Sequence, residues 1–545
     1  MEEKEVYQGP KEISDRFEMF IHLFCNGYKY TLKQQPKFDD ESLNTLIEKI
    51  KGALEKNLIS YSDVAEVAFD ISLSDSNFET QIPNELVTLG CGLMSGNIKD
   101  IYCPFTASYR FAETLAKNGN EVYFEPSNTS ELAIPKLSAD LRDAKYHQEW
   151  ADSNPVTDPA YIESNGLKQF SHTVALPPFG LKYPKDVTSS DMFGRFPEKS
   201  LMGEVLQLRH MLAQTQEQVV TFVVNGFLSR TAAGEKQFKQ DMIKQGLLHS
   251  VIALPEKLFN NTMVQVNALV FDKRKQAEHV LFIDASGENF AQKAGKRTQL
   301  NHVEEILALH ENPDSNSALA VKVTPDDIIN NDFNLLPSRY VLSAEQKDLN
   351  HFLATQQTIT LSEIAELIGP QAIKVEADGE NKFYEFGLNN LNDIGIFTGK
   401  GKKVSTNSQA SRAQNQLLQE DDIVIVNKGS VGKVAFVEQV PSDNAMPSQA
   451  FTIVRLDKRI TDIKPVALFQ YLLSPLGQLQ LQSMASGATV TMIGTKDLKN
   501  MRIPLFSKEQ AQEASQIRAQ VKQLHNQLYK IEQNIKQLNR SRWFK

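Results

Sequence analysis

VVTFVVNGFLSRTAAGEKQFKQDMIKQGLLHSVIALPEKLFNNTMVQVNALVFDK, residues 219–273, holds three apolar runs: VVTFVV (219–224), HSVIAL (249–254) and VNALVF (266–271). A charged stretch with helical spacing separates the first two. Short runs rich in Val, Ile and Leu, bounded by Gly, Pro or Asn, read as strands. A fourth run, HVLFID, follows at 279–284. From about residue 97 to 285 such runs alternate with helical stretches. That alternation predicts an α/β fold of βαβ units, with a sheet covered on both faces.

Outward from this core the pattern changes. SLNTLIEKIKGALEKNLI (42–59) has apolar residues at helical spacing, so residues 1–80 read as an N-terminal helical segment. Residues 286–350 are polar and irregular, which predicts a linker and connecting helices. A second globular unit begins near Ile359, where the runs DIVIVNKG and KVAFVE surround Gly-bearing turns. Ile517, Val521, Leu524, Leu528, Ile531, Ile535 and Leu538 then recur in steps of four and three, a heptad seam flanked by Gln, Asn and Lys. The seam predicts a long helix of coiled-coil type that packs on its own chain or on a partner.

At 545 residues the chain exceeds one hydrophobic core and predicts two or three domains. The net charge of −9 conceals an asymmetry: residues 371–545 hold 23 Lys and Arg against 16 Asp and Glu, while residues 1–370 carry −16. A basic last third permits contact with a polyanion; a chance imbalance of solvated faces explains the same numbers. No apolar run is long enough to span a bilayer, so no membrane partner is expected. The first residues lack the apolar core of a signal peptide. Cys25, Cys91 and Cys103 form no ligand-like cluster and suit a reducing cytoplasm, so the expectations are a cytoplasmic protein and no metal site.

The stretch SHTVALPPFG (171–180) runs an apolar strand into Pro177, Pro178 and Phe179. Such a rigid turn presents an aromatic face at the carboxyl end of a strand, where doubly wound sheets collect ligands. It suits stacking of a flipped base, and it also suits a purely structural proline turn. In context the stretch resembles the modification subunit of Type I restriction-modification systems, adenine-specific DNA methyltransferases in which Asn-Pro-Pro-Phe ends the fourth strand of a Rossmann-like sheet. The resemblance continues through residues 219–273, through VLFIDAS and DFNLLPSRYV, and upstream into QIPNELVTLGCGLMSGNIKDIYCPF. It implies a methyltransferase-like domain over residues 81–345.

Two departures fall where the chemistry belongs. The family's cofactor loop, Asp-Pro-x-Cys-Gly-Ser-Gly, aligns with Cys103, Pro104, Phe105, Thr106, Ala107, Ser108 and Tyr109. Its glycines let backbone amides approach the methionine part of S-adenosylmethionine, and a Tyr side chain fills that space. Glu125, in EVYFEP, stands where the family places the ribose-hydroxyl ligand. Leu176 replaces the catalytic Asn and cannot accept hydrogen bonds from an adenine amine. These losses imply a pseudoenzyme that binds no cofactor; retained activity would require S-adenosylmethionine. A competing register reads LVTLGCGLMSG (86–96), with Gly90 and Gly92, as the Gly-rich loop. Glu125 lies 17 residues beyond Ser108, the better spacing, which leaves the GCG motif as a small-residue helix surface.

The second unit resembles a target-recognition domain of a Type I specificity subunit over residues 359–510. ITLSEIAELIG (359–369) is similar to the family's opening helix. LLQEDDIVIVNKGSVGKVAFVEQ (417–439) is similar to its Gly-Asp-Ile-Leu … Lys-Gly-Ser-x-Gly-Lys-Val core, with Asp421-Asp422 for Gly-Asp. The segment 465–506 resembles its helix pair, Gly-rich turn and Ile-Pro-Leu exit, and the heptad helix (511–540) its spacer. The turn carrying Lys428, Ser430 and Lys433 sets two amines and a hydroxyl beside backbone amides, a group suited to phosphate. Lys402 and Lys403, in a polar loop, and Thr489, in a small-residue loop, are further candidates for DNA contact; each is otherwise a plain surface loop. The combined expectation is double-stranded DNA recognition in a restriction-like or phage-defence system, with association through the last helix into a homo-oligomer or with other subunits. Two readings compete with it: an active adenine methyltransferase with its own specificity domain, and an assembly protein that binds only protein partners.

Overall fold

The computed structural model of the chain describes residues 41–61, 63, 82–127, 138–148, 154–198, 200–231, 234–259, 262–313, 318–460, 463–486 and 492–541. Most of the expected N-terminal segment, and Thr489, lie outside the described residues. Within that segment, Glu41–Glu55 is helical. The chain divides into two compact units, Met1–Val341 and Leu342–Lys545.

The first unit is built on a mixed nine-stranded sheet. Its strands are β1 (Asp100–Pro104), β2 (Glu121–Glu125), β3 (His147–Gln148), β6 (Phe170–Ala175), β7 (Thr215–Val224), β8 (Leu248–Ala253), β9 (Val266–Asp272), β10 (Val280–Asp284) and β13 (Ala320–Val323). The minor strands β4 (Ile162–Glu163) and β5 (Gly166–Leu167) form one hairpin, and β11 (Ala291–Ala294) and β12 (Arg297–Leu300) another. The sheet runs β13-β10-β8-β9-β7-β6-β1-β2-β3. All four apolar runs quoted above are strands. Both faces are covered: on β7, Val220 and Phe222 join one buried cluster while Val219 and Val223 join the other. This is the period of two that sends successive side chains to opposite faces.

Strand order adds what periodicity does not encode. β9 enters antiparallel between β7 and β8, so the parallel βαβ expectation holds only for part of the sheet. The stretch expected as a linker supplies the β11–β12 hairpin, a helix at Val303–Glu311 and the edge strand β13, antiparallel to β10. Gly90 and Gly92 lie in the helix Asn84–Gly92, not in a strand-to-helix loop. A Cβ at Gly90 would come within 2.6 Å of the Phe111 ring, and one at Gly92 within 2.6 Å of Leu307, so both glycines permit close packing.

The second unit contains a four-stranded sheet, β15 (Ala365–Ile368), β21 (Phe451–Leu456), β18 (Ile423–Val426) and β19 (Val434–Phe436), in that order. A three-stranded sheet joins β17 (Lys402–Thr406), β16 (Asn381–Phe386) and β20 (Ala445–Pro447). Two small pairs complete it: β14 (Thr358–Thr360) with β24 (Arg502–Pro504), and β22 (Ala485–Ser486) with β23 (Met492–Ile493). ITLSEIAELIG is therefore not a single helix. Thr360 and Glu363 close a capping box over one helical turn, Leu361–Ile364, and the chain leaves it as β15 to pair with β21.

The long helix spans Lys508–Ser541, 34 residues or about 51 Å. It docks through Ala514 and Arg518, both buried. Arg518 donates to Glu438 (2.7 Å) and to the Ile394 carbonyl (2.6 Å), and its guanidinium covers the Phe469 ring at 4.8 Å. The heptad seam faces elsewhere. Leu524, Leu528, Ile531, Ile535 and Leu538 are 52–66% exposed.

Candidate functional site

β1, β2 and β6 bring the expected catalytic and cofactor positions together. β1 pairs in parallel with β2 on one side and β6 on the other, so the chain reverses its direction of travel across the sheet at β1. In open α/β sheets the crevice at such a reversal is the ligand site. Pro104 and Glu125 are register partners at the ends of β1 and β2, and β6 ends at Ala175, one residue before Leu176.

The loop after β1 turns inward. Thr106, Ala107 and Ser108 form one buried helical turn that leads into the helix Tyr109–Lys117. Ser108 Oγ donates to the Pro104 carbonyl and accepts from the Leu176 amide at 3.1 Å, tying the ends of β1 and β6 together. Thr106 Oγ1 accepts from the Ser127 amide at 3.1 Å. Tyr109, expected at a glycine position of the cofactor loop, is 1% exposed. Burial pushes the Cys103 thiol well above its usual range.

Phe105 has φ +73, a left-handed conformation that costs a side-chain-bearing residue about 1–2 kcal/mol. Strand alternation would send its ring with Ile101 and Cys103 to one face of the sheet. Instead the ring is 1% exposed within the opposite cluster, with Val156, Ala175, Tyr183 and Phe196.

Glu125 is fully buried and committed. Its Oε2 accepts from Tyr102 Oη at 2.5 Å and its Oε1 from the Ala160 amide at 2.8 Å. Arg195 Nη1 lies 2.8 Å from His210 Nδ1, and Tyr102 Oη lies 3.0 Å from His210 Nε2. A guanidinium can only donate, so Nδ1 accepts and the proton of neutral His210 sits on Nε2, donating to Tyr102. Burial first, then the Arg195 charge, keep His210 far below its ordinary value and therefore neutral. Arg195 also donates to the Pro155 and Val156 carbonyls and to Asp191. The result is a one-directional relay from Arg195 through His210 and Tyr102 to Glu125. Its members lie far apart in sequence, and nothing local marked Tyr102, His210 or Arg195.

The tetrad Leu176, Pro177, Pro178 and Phe179 closes this end of the sheet. Leu176 is 2% exposed and has no polar side-chain atom. The Pro178 carbonyl accepts from Gln207 Nε2 at 3.0 Å, and Phe179 is half-buried. Around the expected cofactor positions, each oxygen of buried Glu125 already accepts a hydrogen bond, and the loop carries two buried aromatic rings, Phe105 and Tyr109.

In the second unit, Lys428, Ser430 and Lys433 are exposed on the turn between β18 and β19, which needs positive φ at Gly429 (+83) and Gly432 (+92). Met492 and Ile493 lie beside it. The Ile493 amide donates to the Asn427 carbonyl at 2.9 Å, and Lys428 bridges to Met492. Lys402 and Lys403 are exposed as well, but they open β17, in the three-stranded sheet, paired with Glu385 and Tyr384. Asp421, where the family has Gly, keeps the left-handed backbone at φ +69. Asp422 is buried and takes Arg455 with both oxygens at 2.8 Å, bracing β18 to β21.

Residues 106–349 match the N-6 DNA methylase family, and residues 354–540 match the Type I restriction modification DNA specificity domain. The chain joins an N-6 DNA methylase region to a Type I specificity domain. The methylase region is similar to the Type I restriction enzyme HindI methylase subunit of Haemophilus influenzae, at 24% identity over 49% of this chain and 64% of that protein. It is also similar to the MjaVII methylase subunit of Methanocaldococcus jannaschii, at 27% identity over 33% of this chain and 34% of that protein. The chain thus spans less than two thirds of the length of these methylase relatives. Among solved structures, the Type I methyltransferase subunit from Streptococcus thermophilus aligns with a TM-score of 0.47 and 18% identity, covering 52% of this chain and 63% of that one. The type IIG restriction endonuclease BpuSI aligns with a TM-score of 0.46 and 12% identity, over 93% of this chain and 68% of its own. No helix among the described residues is long and apolar enough to cross a membrane.

Proposed function

We propose that the chain recognises double-stranded DNA in a restriction-modification-like or phage-defence system, that its specificity domain does the binding, and that its methylase region serves as a scaffold without methyl transfer. The specificity-domain match over 354–540, with the exposed Lys428–Ser430–Lys433 turn beside Met492, supports DNA recognition. Leu176 carries the loss of transfer, because no side-chain acceptor stands where the adenine amine would be held. The exposed heptad seam supports association with a second copy or with other subunits of the system.

The two halves of this reading are tested separately. Fluorescence anisotropy against a selected and a scrambled duplex reports recognition, and equal affinity for both, or for neither, overturns it. Transfer of labelled methyl groups from S-adenosylmethionine to mixed genomic DNA reports the chemistry. The family match favours a second reading, an active site-specific adenine methyltransferase, and label in the DNA would establish that reading.

A further inference from the structure

We propose that the cofactor crevice of the methylase region is locked shut by the chain's own side chains, with Phe105 filling it and Glu125 recruited as the inner anchor of a relay that pins two covering segments, so that the protein's DNA binding does not respond to S-adenosylmethionine. This deepens the scaffold reading but rests on residues other than Leu176. It concerns binding, where the loss of Asn concerns transfer.

Three observations converge on the lock. Phe105 leaves β1 with its backbone turned into the left-handed region, and the ring reaches the cluster shared with Ala175 at the end of β6. A ring at the reversal point between β1 and β6 occupies the crevice where a nucleotide would otherwise enter. Glu125 ends β2 with no exposed surface, and both its oxygens are engaged by Tyr102 and the Ala160 amide. Each oxygen keeps a second lone pair, but the carboxylate has no exposed surface, so a ribose diol could reach it only if the residues covering it moved. Finally, the segment that carries Ala160 is tied to a second one. Arg195 takes the Pro155 and Val156 carbonyls at 3.0 and 2.7 Å, and Asp191 at 2.9 Å, linking 154–161 to 191–196 through one buried side chain. Tyr161 Oη adds a bond to the Phe124 carbonyl at 3.1 Å. Tyr102 stacks on Phe170 at 4.8 Å, which holds its hydroxyl toward Glu125. Tyr102, His210 and Arg195 are positioning residues, since each acts through another group.

The test uses the full chain. Isothermal calorimetry with S-adenosylmethionine and S-adenosylhomocysteine should give no saturable heat up to millimolar ligand, and duplex affinity should be the same with and without them. Phe105→Gly relieves the backbone and leaves an apolar cavity the size of a ring; such cavities take up benzene. Benzene should raise the melting temperature of Phe105→Gly and leave the parent unchanged. Tyr102→Phe is nearly isosteric, folds if the stack is kept, and removes only the hydroxyl. It should speed amide hydrogen exchange in 154–161 and 191–196, at Ala160 above all. Saturable cofactor binding by the parent overturns the lock, as does unchanged exchange in Tyr102→Phe. Loss of duplex discrimination alongside a blank calorimetric titration overturns the DNA reading alone and leaves the lock standing.

Discussion

Placing Asp at both Leu524 and Leu528 tests what the long helix is for. Leu524 is 64% and Leu528 54% exposed. On the isolated chain each substitution should therefore cost no more than about 0.5 kcal/mol, the usual range for surface changes. Pairing reverses the sign of the argument. Full burial of a Leu contributes about 1.5–3 kcal/mol, so covering the remaining half of each side chain returns about 1 kcal/mol or more. An Asp in that seam forfeits this gain and adds several kcal/mol of desolvation. A two-fold pair holds each site twice, so the total exceeds the roughly 8 kcal/mol of a micromolar complex. Size-exclusion chromatography with light scattering, run with thermal melts, separates the cases. The parent should run as an oligomer and the double variant as a monomer with an unchanged melting temperature at low concentration. A parent that is monomeric at every concentration, or a variant that keeps the parental mass, would refute pairing through the seam. A monomer that melts far lower would show that the seam is packed on its own chain.

Replacing Lys428 and Lys433 together by Ala should weaken all duplexes similarly and flatten the salt dependence by up to about two units of slope, leaving sequence preference intact; anisotropy across a salt series reads both. Asp421→Gly should raise stability by about 0.5–1 kcal/mol in urea melts, because Gly adopts φ +69 without strain. Buried Lys239 donates to the Phe227, Leu228 and Arg230 carbonyls, and burial pulls its amine down from 10.5 to about 8. The unfolded chain then holds that proton more tightly, so the Lys239 penalty is full below about pH 8 and fades as pH rises toward 10.5. Relative to Lys239→Met, the parent should gain stability across that window by at most about 3 kcal/mol, and a constant difference between the two would contradict this. Leu176→Asn alone should restore no methyl transfer while Phe105 and the relay remain.

The four strands read at 219–224, 249–254, 266–271 and 279–284 were legible because each is a compact, largely buried apolar run. Their order was not, since a run of Val and Ile looks the same whichever neighbour it pairs with; hence the antiparallel β9 and the edge strand β13 went unread. ITLSEIAELIG has both helical spacing and β-branched residues, and pairing with β21 decided in favour of the strand after one capped turn. Leu176 and Tyr109 stood out because single residues depart from a motif. The relay did not, because Tyr102 and His210 are 108 positions apart and meet only through tertiary packing. The heptad seam announced its helix, but the pattern of one chain does not name what covers it.

The Arg518 clamp has a geometric consequence. It pins the long helix near its start, and beyond His525 every described residue with an assigned exposure is open to solvent, so the second half behaves as a rod cantilevered from a fixed support. Seven residues added past the clamp would extend the rod by about 10.5 Å and turn its apolar edge by only about 20°, which supercoiling absorbs. One added residue would swing that edge by about 100°. Ten ångströms is close to three base-pair steps at about 3.4 Å each. If two such rods meet edge to edge, the separation of their recognition units is therefore a graduated quantity, adjustable in whole heptads and intolerant of single insertions.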